Sequence, residues 1–246
     1  MITLEQIYAT IDATWPAARF EARGPWTLRD GQGGGKRVSA ASTVQDDVTD
    51  QDVADAVAGQ AAMGQAPLFM IREGQAALDA KLATLGYETI DASVAYAASV
   101  ADLTAVPLPR VTVLPHWEPL VLTREIWGKG GIGPARVAVM MRATGPRVAL
   151  LGRNREQPAG AAFVAVSDGI AMLHALEILP EHRREGMGQW FMRGAAAWAA
   201  DQGAHTLAVI CTRANAGANA LYASLGMQAV GGYHYRHLPE ERGSRD

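Results

Sequence analysis

The sequence predicts an α/β protein of mixed α+β type, in which helices flank a central mixed sheet. Strand-like and helical segments alternate along most of the 246 residues. An apolar strand at 171–179 leads through a basic turn into a long helix that begins near Met187. The order strand, short loop, helix and Leu-Gly occurs twice, at 68–87 and at 207–227, which indicates an internal repeat.

The composition is that of a globular chain with a substantial core, since 49% of the residues are hydrophobic and 19% are charged. The net charge of −3 gives no reason to expect a nucleic acid or a membrane as partner. No apolar run is long enough to span a bilayer, and no signal peptide is visible. The single cysteine, Cys211, fits a reducing compartment, so we expect a cytoplasmic protein. The histidines lack metal-ligand spacing, so no metal is predicted.

The N-terminal part of the chain reads as a series of short elements. A helix over 2–15 is followed by a predicted hairpin, with strands at 25–29 and 36–43 around a glycine-rich turn. The elements predicted after it are a helix over 46–64 capped by Thr49 or Asp50, a strand at 67–72, a helix over 75–85 that ends at Gly86, and one or two strands over 87–99.

Closely spaced prolines over 105–115 indicate a linker or an extended edge segment, so we predict domains at 1–108 and 109–246. The second domain continues the alternation of helices and strands. Its predicted elements are helices over 120–127 and 135–143 with a glycine-rich loop between them, strands at 147–152, 160–166 and 171–179, the long helix, a strand at 206–212, a helix capped by Asn215, and two short strands around Tyr233 and Tyr235.

The turn between the strand at 171–179 and the long helix has the features of a phosphate site. Gly186 and Gly188 allow a tight backbone, the helix N-terminus offers free N–H groups, and Arg183 and Arg184 add positive charge. A dinucleotide fingerprint would need a third glycine where Phe191 stands, and no Gly-Lys-Ser/Thr of a P-loop follows. The pattern therefore predicts a pyrophosphate cradle, and the alternative is a solvated basic turn.

The motif Arg-x-x-Gly-x-Gly at 183–188, after a strand ending in Ile-Leu-Pro, resembles the acetyl-CoA loop of the GNAT superfamily of N-acetyltransferases. A second segment resembles that family's asparagine, leucine-tyrosine and leucine-glycine run: Asn215-x-x-Ala218-x-x-Leu221-Tyr222-x-x-Leu225-Gly226-Met227. The resemblance covers roughly 119–240. The earlier copy of the repeat lacks Arg-x-x-Gly-x-Gly and has Leu82 where the later copy has Tyr222, so we interpret 1–108 as a degenerate copy of the fold. The alternative is that strand, helix and glycine recur by chance.

The resemblance implies a GNAT-type acyl-CoA N-acyltransferase fold, in two tandem copies, with acetyl-CoA as co-substrate. The sheet would splay open between the strands at 171–179 and 206–212, with the pantetheine arm in the gap and the diphosphate on the turn. The residues expected to hold the cofactor are Leu176, Glu177, Ile178, Arg183, Arg184, Glu185, Gly186, Met187, Gly188, Gln189 and Asn215.

The resemblance also implies the chemistry, in which an amine attacks the thioester carbonyl. Tyr222 is the candidate acid for the leaving thiolate, since a tyrosine stays protonated at neutral pH. His174 is the candidate base. Strand alternation predicts that His174 shares a face with Leu176 and Ile178, while Glu177 points to the other face and is the less favoured base. Structural roles for Tyr222 and His174 remain as alternatives.

The predicted function is therefore an acetyl-CoA-dependent N-acetyltransferase that acts on a primary amine of a small molecule or peptide. The predicted state is a monomer or homodimer. One alternative is a non-catalytic acyl-CoA-binding sensor or scaffold that kept the phosphate turn. Another is the transfer of an acyl group other than acetyl. The sequence does not identify the acceptor, because acceptor residues lie on loops.

Overall fold

The structure is a computed structural model that describes residues 2–239. Its α-helices are α1 (Leu4–Thr14), α2 (Asp50–Ala62), α3 (Ala76–Thr84), α4 (Val100–Thr104), α5 (Val121–Lys129), α6 (Pro134–Arg142), α7 (Met187–Asp201) and α8 (Ala216–Ser224). Its strands are β1 (Arg19–Arg23), β2 (Trp26–Asp30), β3 (Leu68–Arg72), β4 (Glu88–Ser99), β5 (Val113–His116), β6 (Arg147–Asn154), β7 (Gln157–Ser167), β8 (Ile170–Ile178), β9 (Thr206–Thr212) and β10 (Gln228–His237). Short 3-10 helices occupy Lys36–Val38 and Pro180–His182.

The chain forms two compact units, each assembled from two stretches of sequence. Within the described residues, the larger unit consists of 2–16 together with Val94–Gly231, and the smaller unit consists of Ala17–Ser93 together with 232–239. Strands β4 and β10 each begin in one unit and end in the other. The domain boundary predicted between residues 108 and 109 lies in neither of these two strands.

The larger unit is built on a mixed sheet with the strand order β4-β9-β8-β7-β6-β5. Strands β5 to β8 form an antiparallel meander, and β9 joins β8 in parallel. One face of the sheet packs on α7 through a buried core that includes Leu150, Val164, Leu173 and Phe191. Helices α1 and α5 pack on β7 and β8. Because alternate strand residues point to opposite faces, Phe163, which contacts Trp15 of the α1 end, faces away from α7.

The smaller unit has its own core and its own strand pairs. Strands β1 and β2 form an antiparallel hairpin, and β3 pairs antiparallel with the residues of β10 from Tyr233 to His237. Its core includes Trp26 and Phe69, whose ring centroids are 5.0 Å apart, and the helices α2 and α3.

Most predicted elements are confirmed within a few residues, including α2 with Thr49 as its N-cap. The hairpin predicted between 25–29 and 36–43 is present only as a single antiparallel bridge between Thr27 and Ser42, and β2 pairs along its length with β1. The segment after β2 forms a 3-10 helix, and the buried Arg29 side chain donates to Ala40 O and Ser42 Oγ, so side-chain bonds replace most of the expected ladder. The two short strands predicted around Tyr233 and Tyr235 are one continuous strand, β10.

None of the helices within residues 2–239 combines the length and the apolar composition needed to cross a membrane.

Candidate active site

The turn before α7 presents a row of backbone amides. Arg184 (φ +63°) and Gly186 (φ +83°) lie in the left-handed region, which turns the chain sharply before α7 begins. Among the hydrogen bonds of residues 2–239, none uses a backbone N–H from Arg184 to Gly188 as donor. A helix N-terminus with unused amides and a positive dipole end favours an anion. The turn therefore has the geometry of the predicted pyrophosphate cradle.

The two arginines of this turn differ in what their side chains contact. Arg183 folds back onto β8, where Nε donates to Ile178 O at 2.9 Å and Nη2 donates to Glu177 Oε1 at 3.1 Å. Arg184 is exposed and makes no ion pair with another residue in the range 2–239. Of the two guanidinium groups, that of Arg184 is the one that does not contact β8.

Glu185, also predicted to hold the cofactor, anchors the turn to the end of β6. Its carboxylate accepts hydrogen bonds from Asn154 Nδ2 and from Arg155 Nη2, the latter at 3.2 Å. Because both oxygens of Glu185 are engaged in this way, its side chain fixes the position of the turn.

Gly188 allows close packing between two helices. A Cβ at Gly188 would lie 2.8 Å from Leu221 Cδ2 of α8. Asn215 caps α8, since its Oδ1 accepts the Ala218 N–H at 3.0 Å. Gly188 and Asn215 thus have visible structural roles at the two helix N-termini, and their contact with a cofactor stays a prediction.

Strands β8 and β9 separate as the resemblance implied. Their parallel pairing runs only from Ile170 with Thr206 to Leu173 with Val209, although β8 continues to Ile178. The unpaired ends of the two strands therefore leave a gap in the sheet.

Tyr222 of α8 and Cys211 of β9 lie near this gap. Tyr222 is 4% exposed, and burial, with smaller effects from Cys211 and Tyr96, raises the pKa of its hydroxyl. Burial also raises the pKa of the Cys211 thiol to about 11. Both groups are therefore protonated at neutral pH.

Asn219 is a polar contact of the gap that the sequence did not predict. Its Oδ1 accepts from the Tyr96 hydroxyl at 3.0 Å, and the Cys211 thiol lies 3.6 Å from the same atom. Its Nδ2 donates to Thr212 O and Asn215 O. The position of Asn219, one helical turn after Asn215, was a signal for its bond to Asn215 O. Its bond to Tyr96 was not predictable, because Tyr96 lies on β4, far away in the sequence.

The alternation predicted along β8 is wrong, because a β-bulge interrupts the strand. Ala161 pairs with Glu177 and Phe163 pairs with His174, so β8 carries one more residue than β7 over this interval. Ala175 adopts φ +51° at the bulge, and Trp127 Nε1 donates to its carbonyl oxygen at 2.8 Å. An extra residue reverses the faces beyond it.

The reversal changes which side chains are neighbours. Leu176 and Ile178 pack towards the same core as Leu173, whereas Glu177 returns to the face of His174. A methyl group built on Gly130, at the end of α5, would overlap the Glu177 carboxylate, so this side chain lies against α5.

His174 lies beneath the C-terminal end of α1. It is 4% exposed, its Nε2 is 2.9 Å from Thr14 Oγ1, and its ring lies 5.0 Å from that of Trp15. The Thr14 hydroxyl donates to Thr10 O, so His174 Nε2 is the donor in the bond to Thr14. This placement favours a packing role for His174.

No group of His, Cys, Asp or Glu side chains between residues 2 and 239 is arranged to hold a metal ion.

The comparisons with known proteins agree with this geometry. The model of the acetyltransferase (GNAT) family matches residues 117–227, which contain the turn before α7, the gap between β8 and β9, and Tyr222. A GCN5-related N-acetyltransferase from Kribbella flavida has a similar structure, with a TM-score of 0.72, 19% identity, and coverage of 99% of this chain and 98% of the other. The chain has a GNAT fold.

Other relatives extend the likeness beyond the family match. An uncharacterized N-acetyltransferase of Bacillus subtilis (strain 168), YobR, is 24% identical over 96% of this chain and 99% of its own length. A tandem GNAT protein from the clavulanic acid biosynthesis pathway has a TM-score of 0.60 at 14% identity, over 82% of this chain and 76% of its own. The GNAT match and the relatives named as N-acetyltransferases together support an N-acetyltransferase.

Proposed function

We propose that the protein transfers the acetyl group of acetyl-CoA to a primary amine of a small molecule or peptide. The row of unused amides from Arg184 to Gly188 is the observation that carries this proposal. It lies at the start of α7, next to a gap in the sheet, within the stretch that matches the GNAT family.

In this proposal the diphosphate of acetyl-CoA accepts hydrogen bonds from the amides of the turn, and Arg184 supplies the fixed positive charge. The Gln189 N–H already donates to Gly186 O at 3.0 Å, so Gln189 would reach the diphosphate only with its side-chain amide. The pantetheine arm enters the gap along β8, where Leu176 and Ile178 offer backbone groups. The Ile178 carbonyl already accepts from Arg183, so the arm depends more on the backbone of Leu176.

The reaction requires an uncharged amine to attack the thioester carbonyl carbon. A backbone N–H of β8 near the bulge stabilises the oxyanion that forms. Tyr222 then gives a proton to the departing sulfur, a role for which its raised pKa keeps it protonated. His174, the base expected from the sequence, directs Nε2–H to Thr14, so this nitrogen is not free to take a proton from the amine.

We also propose that the N-terminal part derives from a second, degenerate copy of the fold. The helix of each copy ends in the same way. Gly86 and Gly226 both have positive φ, and the N–H of each donates at 3.0 Å to the carbonyl oxygen of the third residue before it. The next N–H bonds in the two copies match as well, from Tyr87 to Leu82 O and from Met227 to Tyr222 O. The copies correspond in register, with Gln75 against Asn215 at the helix start.

The test combines calorimetry with acetyl-CoA and thiol release with a panel of primary amines. We expect the natural chain to bind acetyl-CoA and to release thiol with at least one amine. The double variant Arg184→Ala, Gly186→Pro should lose binding, because it removes both the charge and the backbone shape of the turn. Arg110→Ala removes an exposed arginine elsewhere in the chain and should bind normally.

Two outcomes would replace the proposal. Binding of acetyl-CoA without thiol release with any amine favours the sensor or scaffold, and faster release from a longer acyl-CoA favours a different acyl group. Acetyl-CoA binding that survives the double variant would contradict the cradle itself.

A further inference from the structure

The bulge in β8 places the Glu177 carboxylate on the face of His174, where regular alternation would not place it. We propose that Glu177 is the proton acceptor for the incoming amine, an inference that rests on the proposed acetyl transfer. Glu177 lies between Leu176 and Ile178, the residues whose backbone flanks the expected thioester. Neighbouring strand residues are about 3.4 Å apart, so its carboxylate is within reach of an amine at that thioester through at most one water.

The other ionisable groups of this stretch are less suited to the role. His174 is covered by Thr14 and Trp15 and donates to Thr14. The Glu185 carboxylate is held by Asn154 and Arg155 at the end of β6. Glu181 is exposed on the 3-10 helix, beyond the end of β8.

The structure holds Glu177 in place without using all of its acceptor capacity. Arg183 Nη2 contacts Oε1 at 3.1 Å, and the side chain is 17% exposed. Gly130 at the end of α5 leaves the space that the carboxylate fills. A carboxylate has about four lone-pair sites, so Oε2 can still accept a proton while Oε1 is bonded to Arg183.

The proton balance is simple. The ammonium form of the acceptor gives one proton to the Glu177 carboxylate, and the freed lone pair forms the N–C bond as the carbonyl π electrons move to oxygen. When the intermediate collapses, the C–S bond breaks and sulfur takes the electron pair. Tyr222 gives a proton to the sulfur, and the second proton lost by nitrogen returns to Tyr222 through water. Each turnover therefore releases one net proton, from Glu177 to water.

The decisive variant is Glu177→Gln, which keeps the size and a carbonyl oxygen that can accept from Arg183 but cannot take a proton. We expect kcat with a reactive amine to fall by about two to four orders of magnitude. The Kd for acetyl-CoA should stay within about threefold. Glu181→Gln, an exposed carboxylate on the same connection, is the matched control and should keep the kcat of the natural chain.

A pH profile separates proton transfer from shape. The charged group that contacts Glu177 is Arg183, and His174 on the same face is bonded to Thr14. The reduction of kcat in Glu177→Gln should become smaller as rising pH deprotonates the amine in solution. An unchanged kcat in Glu177→Gln, a deficit independent of pH, or a parallel loss of acetyl-CoA binding would each overturn the assignment. A natural chain that binds acetyl-CoA but acetylates no amine would instead refute the proposed function.

Discussion

Tyr222 is the residue whose role the structure makes easiest to test. Its hydroxyl is buried among Tyr96 and Cys211, and burial raises its pKa. Tyr222→Phe removes only the hydroxyl, so we expect kcat to fall by at least about tenfold while the Kd for acetyl-CoA changes little. Thiol release and calorimetry measure the two quantities. A variant with the kcat of the natural chain would remove Tyr222 from the mechanism.

The raised pKa of Tyr222 also determines the alkaline side of the natural rate profile. A group with a raised pKa keeps its proton to higher pH than the ordinary value of about 10. Loss of this proton therefore should not reduce kcat below that pH, and the rate should rise with pH until the amine is deprotonated.

The bulge in β8 is positioned by α5, which contacts it at two points. Trp127 bonds the carbonyl of Ala175, and Gly130 lies against the Glu177 carboxylate. Gly130→Ala should displace the end of this flexible side chain rather than the backbone, since Gly130 has an ordinary φ of −87°. We expect the free energy of unfolding to change by less than about 1 kcal/mol, while kcat falls as Glu177 moves.

Gly128→Ala is the control for this prediction. Gly128 lies in the same helix, and a Cβ there would meet no atom within 4 Å. Urea unfolding and thiol release should show similar stability for both variants and a loss of kcat for Gly130→Ala alone. Equal kcat values in the two variants would contradict the contact with Glu177 or its importance.

The sequence predicts contiguous elements better than it predicts interrupted ones. The turn at 183–188 is encoded by adjacent residues, so its glycines and the start of α7 were predictable. The bulge at Ala175 is not, because alanine gives no signal for a positive φ and the bond that holds it comes from Trp127. The sequence therefore placed His174 and Glu177 on opposite faces, because this long-range contact is not visible in it.

At the scale of the whole molecule, each compact unit includes a segment from the other half of the chain. The larger unit takes α1 and the later part of β4 from the N-terminal half, and the smaller unit takes the end of β10 from the C-terminal half. The sequence shows the order strand, helix and glycine at two places in the chain. It does not reveal which unit a final strand will join, because that depends on pairing between distant segments.

This organisation predicts that residues 109–246 do not fold alone. The side chains that the larger unit would lose include five large apolar ones, each at most 6% exposed: Ile7, Ile11, Trp15, Val100 and Leu103. Burial of each is worth about 2 kcal/mol, so the loss of about 10 kcal/mol is on the order of the whole stability of a domain. Thermal unfolding followed by circular dichroism should show no cooperative transition for 109–246. Addition of a separate chain of residues 1–108 should restore it, whereas a cooperative transition and acetyl-CoA binding in 109–246 alone would show that this part is an independent domain.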